Sequence, residues 1–496
     1  MARLPLLGGA YQARSIIANA QRCVNLYPEK NQADAPVPLT HYQRPGFRNL
    51  ASGLDVAPVR GLYRASNGNG YCVIGQKVYS ISAAWVLTQI GTLTVDGTNP
   101  VSFIDNGLNI WLVDGSQFGY QIVMATNVFS TTVDATGIFT GADRVDYIDT
   151  FMLWNVPGTN QFGSTLSNVI EFDATYIASK TDYPDPLQTL IVNRHEILLI
   201  GQLKTELWYD SGGANFPFAE LPGAYFEHGT CAKYSVASQD ISTYFLGQDL
   251  QGQGIVFRIR GYECQRVSTH AIETAIQGYV SAGMVISDAI GYCYQQGGHV
   301  FYVLTFPTAD ATWVLDDSTE MWHQRAWSDP DGNLHRDRSN CHAFINGTNV
   351  VGDWQNGTLY ALDQNYYYDQ VNQVQGPISF IRGFPHIMAG TGPQGPVLAD
   401  GKRVKFKQFL ADMECGTTAK DGNGNFPQAA LRYSDDRGRT FSNAVLQSVG
   451  ELGEYLTQPQ WRVLGECRDR VFELSWSFAG PAALNGAWVD AEVLNS

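Results

Sequence analysis

The chain carries little charge: Asp, Glu, Lys and Arg make up 16% of its 496 residues. It also lacks any apolar run approaching the roughly 18 residues of a membrane helix, so no membrane-spanning segment is expected. Cysteine never occurs as a Cys-x-x-Cys pair. Cys23, Cys72, Cys231, Cys264, Cys293, Cys341, Cys415 and Cys467 stand singly, which favours buried thiols over a zinc site or a disulfide framework. Cys341-His342 with His335 is the one metal-like group, and it lacks a second ligand pair.

A secretion signal is missing as well. The opening MARLPLLGGAYQARS is only briefly apolar and is broken by Pro5, Gly8 and Gly9, so a soluble chain made in the cytoplasm is the expectation. A net charge of −15 argues against a protein that grips nucleic-acid phosphates over a broad surface. It leaves room for an acidic wall that DNA slides past; the plain alternative is a soluble acidic protein.

Helical periodicity is scarce. One helix is predicted over Thr269 to Val280, capped by Thr269, with Ile272 and Ile276 one turn apart, bridging two repeat units. What is abundant is aromatic residues at 12% and 50 glycines, a balance suited to many short strands and tight turns. At this length two or three domains are expected.

From Val59 to Asp363 one pattern is rewritten several times: a β-rich run, an aromatic or aliphatic pair, an acidic turn and a returning strand. NVIEFDAT, TELWYDSGG, ATWVLDDST and GTLYALDQN are examples. Their turn aspartates Asp173, Asp210, Asp316 and Asp363 lie 37, 106 and 47 residues apart, the middle gap leaving room for two further units. A period of about 40–50 residues is that of four-stranded blades around an axis. Asn-Gly or Asp-Gly pairs at 96-97, 106-107, 114-115, 331-332, 346-347 and 356-357 are each expected to supply the positive φ of a two-residue hairpin. In a chain without a secretion signal, that meaning outweighs glycosylation at Asn346 and Asn356.

The fold class expected is therefore mostly β: a propeller-like body over 59–365, a C-terminal β-sandwich over 366–496, and an extended N-terminal arm, 1–58, contributing strands to a neighbouring domain. Pro28, Pro36, Pro38 and Pro45 interrupt the arm. Lys402, Arg403, Lys405 and Lys407 share much of one strand face, either solvated or facing an acidic partner.

Ser434, Asp436, Gly438, Thr440 and Phe441, in SDDRGRTF, have the spacing of the Asp-box hairpins of sialidase propellers. A sialidase also needs converging arginines, a tyrosine–glutamate pair and an acidic proton donor. The early Arg-Ile-Pro signature is missing, and the single Asp-box falls outside the blades, so this turn is read as structural. Gly-x-Ser-x-Gly, the phosphate-binding Gly-x-x-x-x-Gly-Lys-Ser/Thr and His-Glu-x-x-His are absent too. Asp329-x-Asp331-x-Asn333 begins like a calcium loop but has Leu334 in place of the turn glycine. Asp316-Asp317 and Asp435-Asp436 are sequence neighbours, and neighbours on a strand point to opposite faces. No catalytic, cofactor-binding or metal residues are assigned; the chain is not read as an enzyme.

YECQRVSTHAIE (262–273), GHVFYVLTFPTADATWVLDDSTEMWHQR (298–325) and GDWQNGTLYALDQN (352–365) resemble the tail-hub proteins of short-tailed bacteriophages, the packaged-DNA stabilisation or tail accessory family. NLYPEKN, RPGF and the stretch from SDDRGRTF to RVFELSWS fit the same pattern. The resemblance implies a virion protein, made in the host bacterial cytoplasm, that assembles below the portal and its adaptor ring. It implies a six-fold homo-oligomeric hub or nozzle that retains packaged DNA, carries spikes, fibres or a needle, and later passes the genome through its lumen without binding it specifically. A phage-borne polysaccharide depolymerase or glycan-binding propeller is the alternative. In the long motif, Phe301 and Val303 should alternate with Tyr302 and Leu304 in a strand buried on both faces, Trp313 and Trp322 should flank a hairpin near Asp316 to Thr319, and His299 and His323 should be hydrogen-bonded structural residues.

Overall fold

The computed structural model describes residues 3–494 apart from 16–18, 36, 52–54, 214, 372–373, 389–390, 393–394, 397–401 and 422–423, so Pro36 and parts of the Gly/Pro-rich 383–401 stretch lie outside the described residues. Val59–Arg64, Gly70–Ile74, Lys77–Ile81 and Leu87–Thr92 form an antiparallel four-stranded sheet. The same meander recurs over 102–131, 145–179 and 187–226. A fifth sheet spans 229–266, a sixth starts with Ile290–Gln296 and ends at Met321–Arg325, and a seventh begins at Ser339–Ile345. The seventh takes its outer strand, Gly46–Ala51, from the N-terminal region.

Neighbouring blades touch around the whole circle, and Val59–Arg64 meets Ser339–Ile345, so the ring closes on itself. Apolar clusters fill the gaps between successive sheets. Trp111 and Trp154 meet edge to face there, ring centroids 5.8 Å apart, a geometry that contributes about 0.5–1.5 kcal/mol beyond area burial. Residues 301–304 show the double burial expected of them. Phe301 and Val303 join one cluster, Tyr302 and Leu304 another. Trp313 and Trp322 flank the hairpin between Ala311–Asp316 and Met321–Arg325.

The four turn aspartates sit at or past the end of their blade's third strand, where Asp173, Asp210 and Asp316 lead into the fourth and Asp363 leads out of the propeller, but the gap between Asp210 and Asp316 holds one further blade, not two. That blade turns at Gly261, φ 59, so glycine does there what an aspartate does elsewhere. Hairpin chemistry also needs correction. Only Asn346-Gly347 has positive φ at both positions. Gly97 and Gly357 are not in the left-handed region. A Cβ at Gly357 would stand 2.7 Å from the Asp55 carbonyl oxygen, so close approach, not φ, requires glycine there.

The helix runs over His270–Ser281 between the fifth and sixth blades, burying Ile272 and Ile276. Thr269 occupies the cap position without a side-chain cap bond; its carbonyl accepts from the Glu273 amide at 3.1 Å instead.

The sandwich draws on both ends of the chain. One sheet runs Gln460–Arg462, Val404–Met413, Leu484–Val493, Leu39–Gln43 and Leu26–Lys30. Pro28 lies inside that last strand, at the sheet edge where a missing N–H is tolerated. The other runs Cys23–Val24, Phe380–Gly383, Asp469–Trp476, Gln428–Ser434 and Val445–Ser448. Val24 pairs in parallel with Gln324, so this sheet continues unbroken into the sixth blade. Phe406, Phe409, Trp461, Phe472 and Trp476 dominate the core between the two sheets.

Candidate functional site

The SDDRGRTF turn joins Gln428–Ser434 to Val445–Ser448. Asp436 accepts from Ser434 Oγ at 2.7 Å, the Arg439 amide at 3.0 Å, and the Thr440 amide and hydroxyl at 2.8 and 2.6 Å. Ser434 Oγ in turn accepts from the Gly438 amide at 2.8 Å. Gly438 has φ 81, a conformation that suits glycine. The Thr440 hydroxyl first, then its amide and Ser434, hold the Asp436 carboxyl well below the usual carboxylate range. A carboxylate so saturated is a poor proton carrier. Phe441 lies beneath the Arg432 guanidinium, 4.7 Å from ring to cation.

The paired carboxylates separate. Asp435 forms a two-pronged pair with Arg470 at 2.6 and 2.7 Å, and Arg470 stacks 3.9 Å from the Tyr433 ring. Asp316 is buried against His299, Ser318 and Thr319, whereas Asp317 binds Arg258 and Arg260. The blade-turn aspartates share one geometry. Asp173, Asp210, Asp316 and Asp363 each accept from the amide two residues on, at 2.8, 2.8, 3.0 and 2.9 Å, the Asx turn that fixes a tight reversal.

His299 bridges Asp316 at 2.8 Å and Glu29 at 3.2 Å, and its pKa is raised, first by Asp316. His323 does not meet expectation. Neither of its ring nitrogens has a hydrogen-bond partner, nor do those of buried His41, and burial holds both imidazoles well below the ordinary value. His323 instead sits among Tyr27 and Phe301, where an aromatic wall replaces polar partners. The Cys341-His342-His335 group disperses. His335 faces Asp310 and Asp329, while His342 stacks on Tyr292 and is pushed down to about 4 by burial. All eight cysteines are free thiols, and among the described residues no three potential ligands gather into a metal site. Asp329 is occupied by Asn333, whose amide lies 2.7 Å away. The basic strand begins at Val404, so Lys402 and Arg403 precede it and only Lys405 and Lys407 lie within it; Arg403 is paired with Glu466 at 2.9 Å and Lys407 with Glu492 at 2.6 Å.

Sequence reasoning missed the axis and the cleft. The inner strands enclose a cavity of about 320 Å³, lined by Arg60, Tyr63, Arg144, Tyr234 and His342. Lys233 pairs with Asp143 at 2.7 Å and Arg144 donates to the Val236 carbonyl at 2.7 Å across it. Such a cavity is far too small for a DNA duplex. A larger cleft of about 940 Å³ lies between the outer face of the sandwich and the propeller segment that includes Ser328 and Leu334. Neither cavity announces itself in sequence, since the axis gathers residues from Arg60 to His342 and the cleft residues from Ser328 to Ala479.

A ring of blades with a sandwich welded to one blade, and carboxylates committed to turns and ion pairs, defines a β-propeller–sandwich scaffold protein. The chain belongs to the bacteriophage P22 Gp10 family: the family's β-propeller model matches residues 2–367 and its β-sandwich model matches residues 395–492. It is thus a member of a family of structural tail proteins of short-tailed phages. Among solved structures, it is similar to the WD40 β-propeller domain of Doa1, at 10% identity and TM-score 0.39 over 64% of this chain and 97% of that one. It is also similar to virginiamycin B lyase from Staphylococcus aureus, at 8% identity and TM-score 0.42 over 64% and 98% of the two chains. No curated protein matches the sequence.

Proposed function

We propose that the chain is the subunit of a homo-oligomeric, six-fold hub or nozzle. It stands below the portal and adaptor ring of a phage tail, retains packaged DNA and forms the conduit for its ejection. Membership of the Gp10 family carries this reading. The parallel Val24–Gln324 junction supports it physically, because a ring built from heterologous contacts closes only if each subunit keeps a fixed shape.

The propeller axis is too narrow to be the channel, so the conduit lies between copies. A net charge of −15 suits a wall that repels the phosphate backbone. The Asp436 turn holds the shape of the sandwich hairpin and performs no chemistry.

Electron microscopy of the purified chain with its own portal and adaptor tests the reading. Six-fold rings docked end-on are the expected result. Monomers that ignore the adaptor, or polysaccharide turnover by the isolated chain, would overturn it.

A further inference from the structure

The strand Val445–Ser448 ends its sheet: Gln428–Ser434 pairs with it on one side, and among the described residues no strand pairs with it on the other. A free edge of this kind is a template for another strand, and proteins normally guard it with charge or proline. Here neither is present. Residues 440–450 contain no charged residue and no proline, while Val445 and Leu446 are exposed, Leu446 at 56%. Leu446 also ends a cross-strand row, Ile381–Ser475–Ala430–Leu446, that borders the 940 Å³ cleft beside Phe426 and Leu452.

A ring of more than two copies cannot be built by pairing this edge with the same edge of another copy. That contact is two-fold and closes after two subunits. A heterologous contact needs a second, different patch of matching chemistry on the same chain. The outer strands of the first two blades provide it. Among the described residues, Leu87–Thr92 and Val128–Thr131 end their sheets, and they lie within the uncharged stretches 78–95 and 115–133. Val86, Val128 and Val133 stand exposed there, Val128 at 57% and Val133 at 83%. The two blades also lean on each other, since a Cβ at Gly91 would meet the Phe129 ring.

The other outer strands are marked differently. Those of the fourth, fifth and seventh blades contain Glu220, Glu263 and Arg48, that of the third, Ile177–Ser179, is only 3 residues long, and that of the sixth is covered by Val24. Resting on the ring reading above, we infer that the sandwich edge Val445–Ser448 of one copy docks on the outer edges of the first and second blades of the next copy. Leu446 meets the valine-rich edge, and neighbouring apolar side chains enter the cleft.

Paired cysteines test this in the full chain. Leu446→Cys combined with Val128→Cys should give disulfide-linked ladders that end in a closed covalent ring, whereas either cysteine alone should leave monomers on a non-reducing gel. Leu446→Lys should melt like the wild type yet abolish rings by electron microscopy and light scattering, and adding Val128→Glu should restore them. Disulfide dimers from Leu446→Cys alone, or rings undiminished by Leu446→Lys, would overturn the assignment while leaving the hub reading intact. Failure of the wild-type chain to form any ring would instead remove the hub reading on which the assignment rests.

Discussion

Arg338 clasps Asp353 inside the seventh blade: Nη2 lies 2.7 Å from each carboxylate oxygen, Nε lies 2.9 Å from Oδ2, and both side chains are fully buried. Tyr360 adds its hydroxyl at 3.0 Å. This is the blade completed by Gly46–Ala51, so the pair stiffens the place where the ring is sealed.

Removing one partner leaves a buried charge without its counter-ion. Arg338→Met is expected to cost about 3–5 kcal/mol, read as a lower urea midpoint. Arg338→Met with Asp353→Leu should cost less than Arg338→Met alone. A double variant as unstable as the sum of two singles would show that the charges matter separately.

The histidines give opposite pH signatures. His323 and His41 have lowered folded-state pKa values, so the unfolded chain takes up protons first. Their contribution is present above about pH 6.5 and is lost as pH falls below that value. His299 has a raised pKa, so its contribution is full below about pH 6.5 and is lost as pH rises through its folded value. Chemical denaturation from pH 4 to 8 should show a flatter acid limb in His323→Phe and a flatter neutral limb in His299→Gln.

Asp436→Ala should leave the blades untouched while loosening one hairpin. The amides of Arg439 and Thr440 are the readout, because both donate to that carboxylate. Their hydrogen exchange should accelerate in the variant. In the wild type it should accelerate as pH falls below the ordinary carboxylate range, after correction for intrinsic exchange, because the depressed pKa means that stability is lost on acidification.

Arg382 is buried and donates to the carbonyls of Gly8, Gly9 and Arg22 and to the Gln21 side chain, at 2.8, 3.1, 3.3 and 2.7 Å. Arg382→Met strands these acceptors. A loss of about 1–3 kcal/mol is expected, with earlier proteolysis before residue 24. Unchanged protection there would show that the apolar contacts of Leu4, Leu6 and Leu7 hold the segment alone.

What could be read from the sequence was what is local. An Asx turn needs only an aspartate and the amide two residues on, so Asp173, Asp210, Asp316 and Asp363 mark their blades directly. The fifth blade, turning on Gly261, left no such mark, which is why the count of units went astray. The helix was legible because Ile272 and Ile276 repeat at a helical interval. Destinations across long sequence distances were not legible: Asn25 donates to the Ala326 carbonyl, 301 residues away. Nor could the sequence reveal that His323 would face rings instead of polar partners, or that Glu466 and Glu492 would answer the basic strand.

The parallel rung between Val24 and Gln324 makes the sixth blade and one sheet of the sandwich a single hydrogen-bonded sheet. Load applied at the Val445 rim travels along backbone hydrogen bonds to the sixth blade, and from there to the axis. Body and flange thus share one continuous main-chain route, along which a push at one end of the subunit can reach the other.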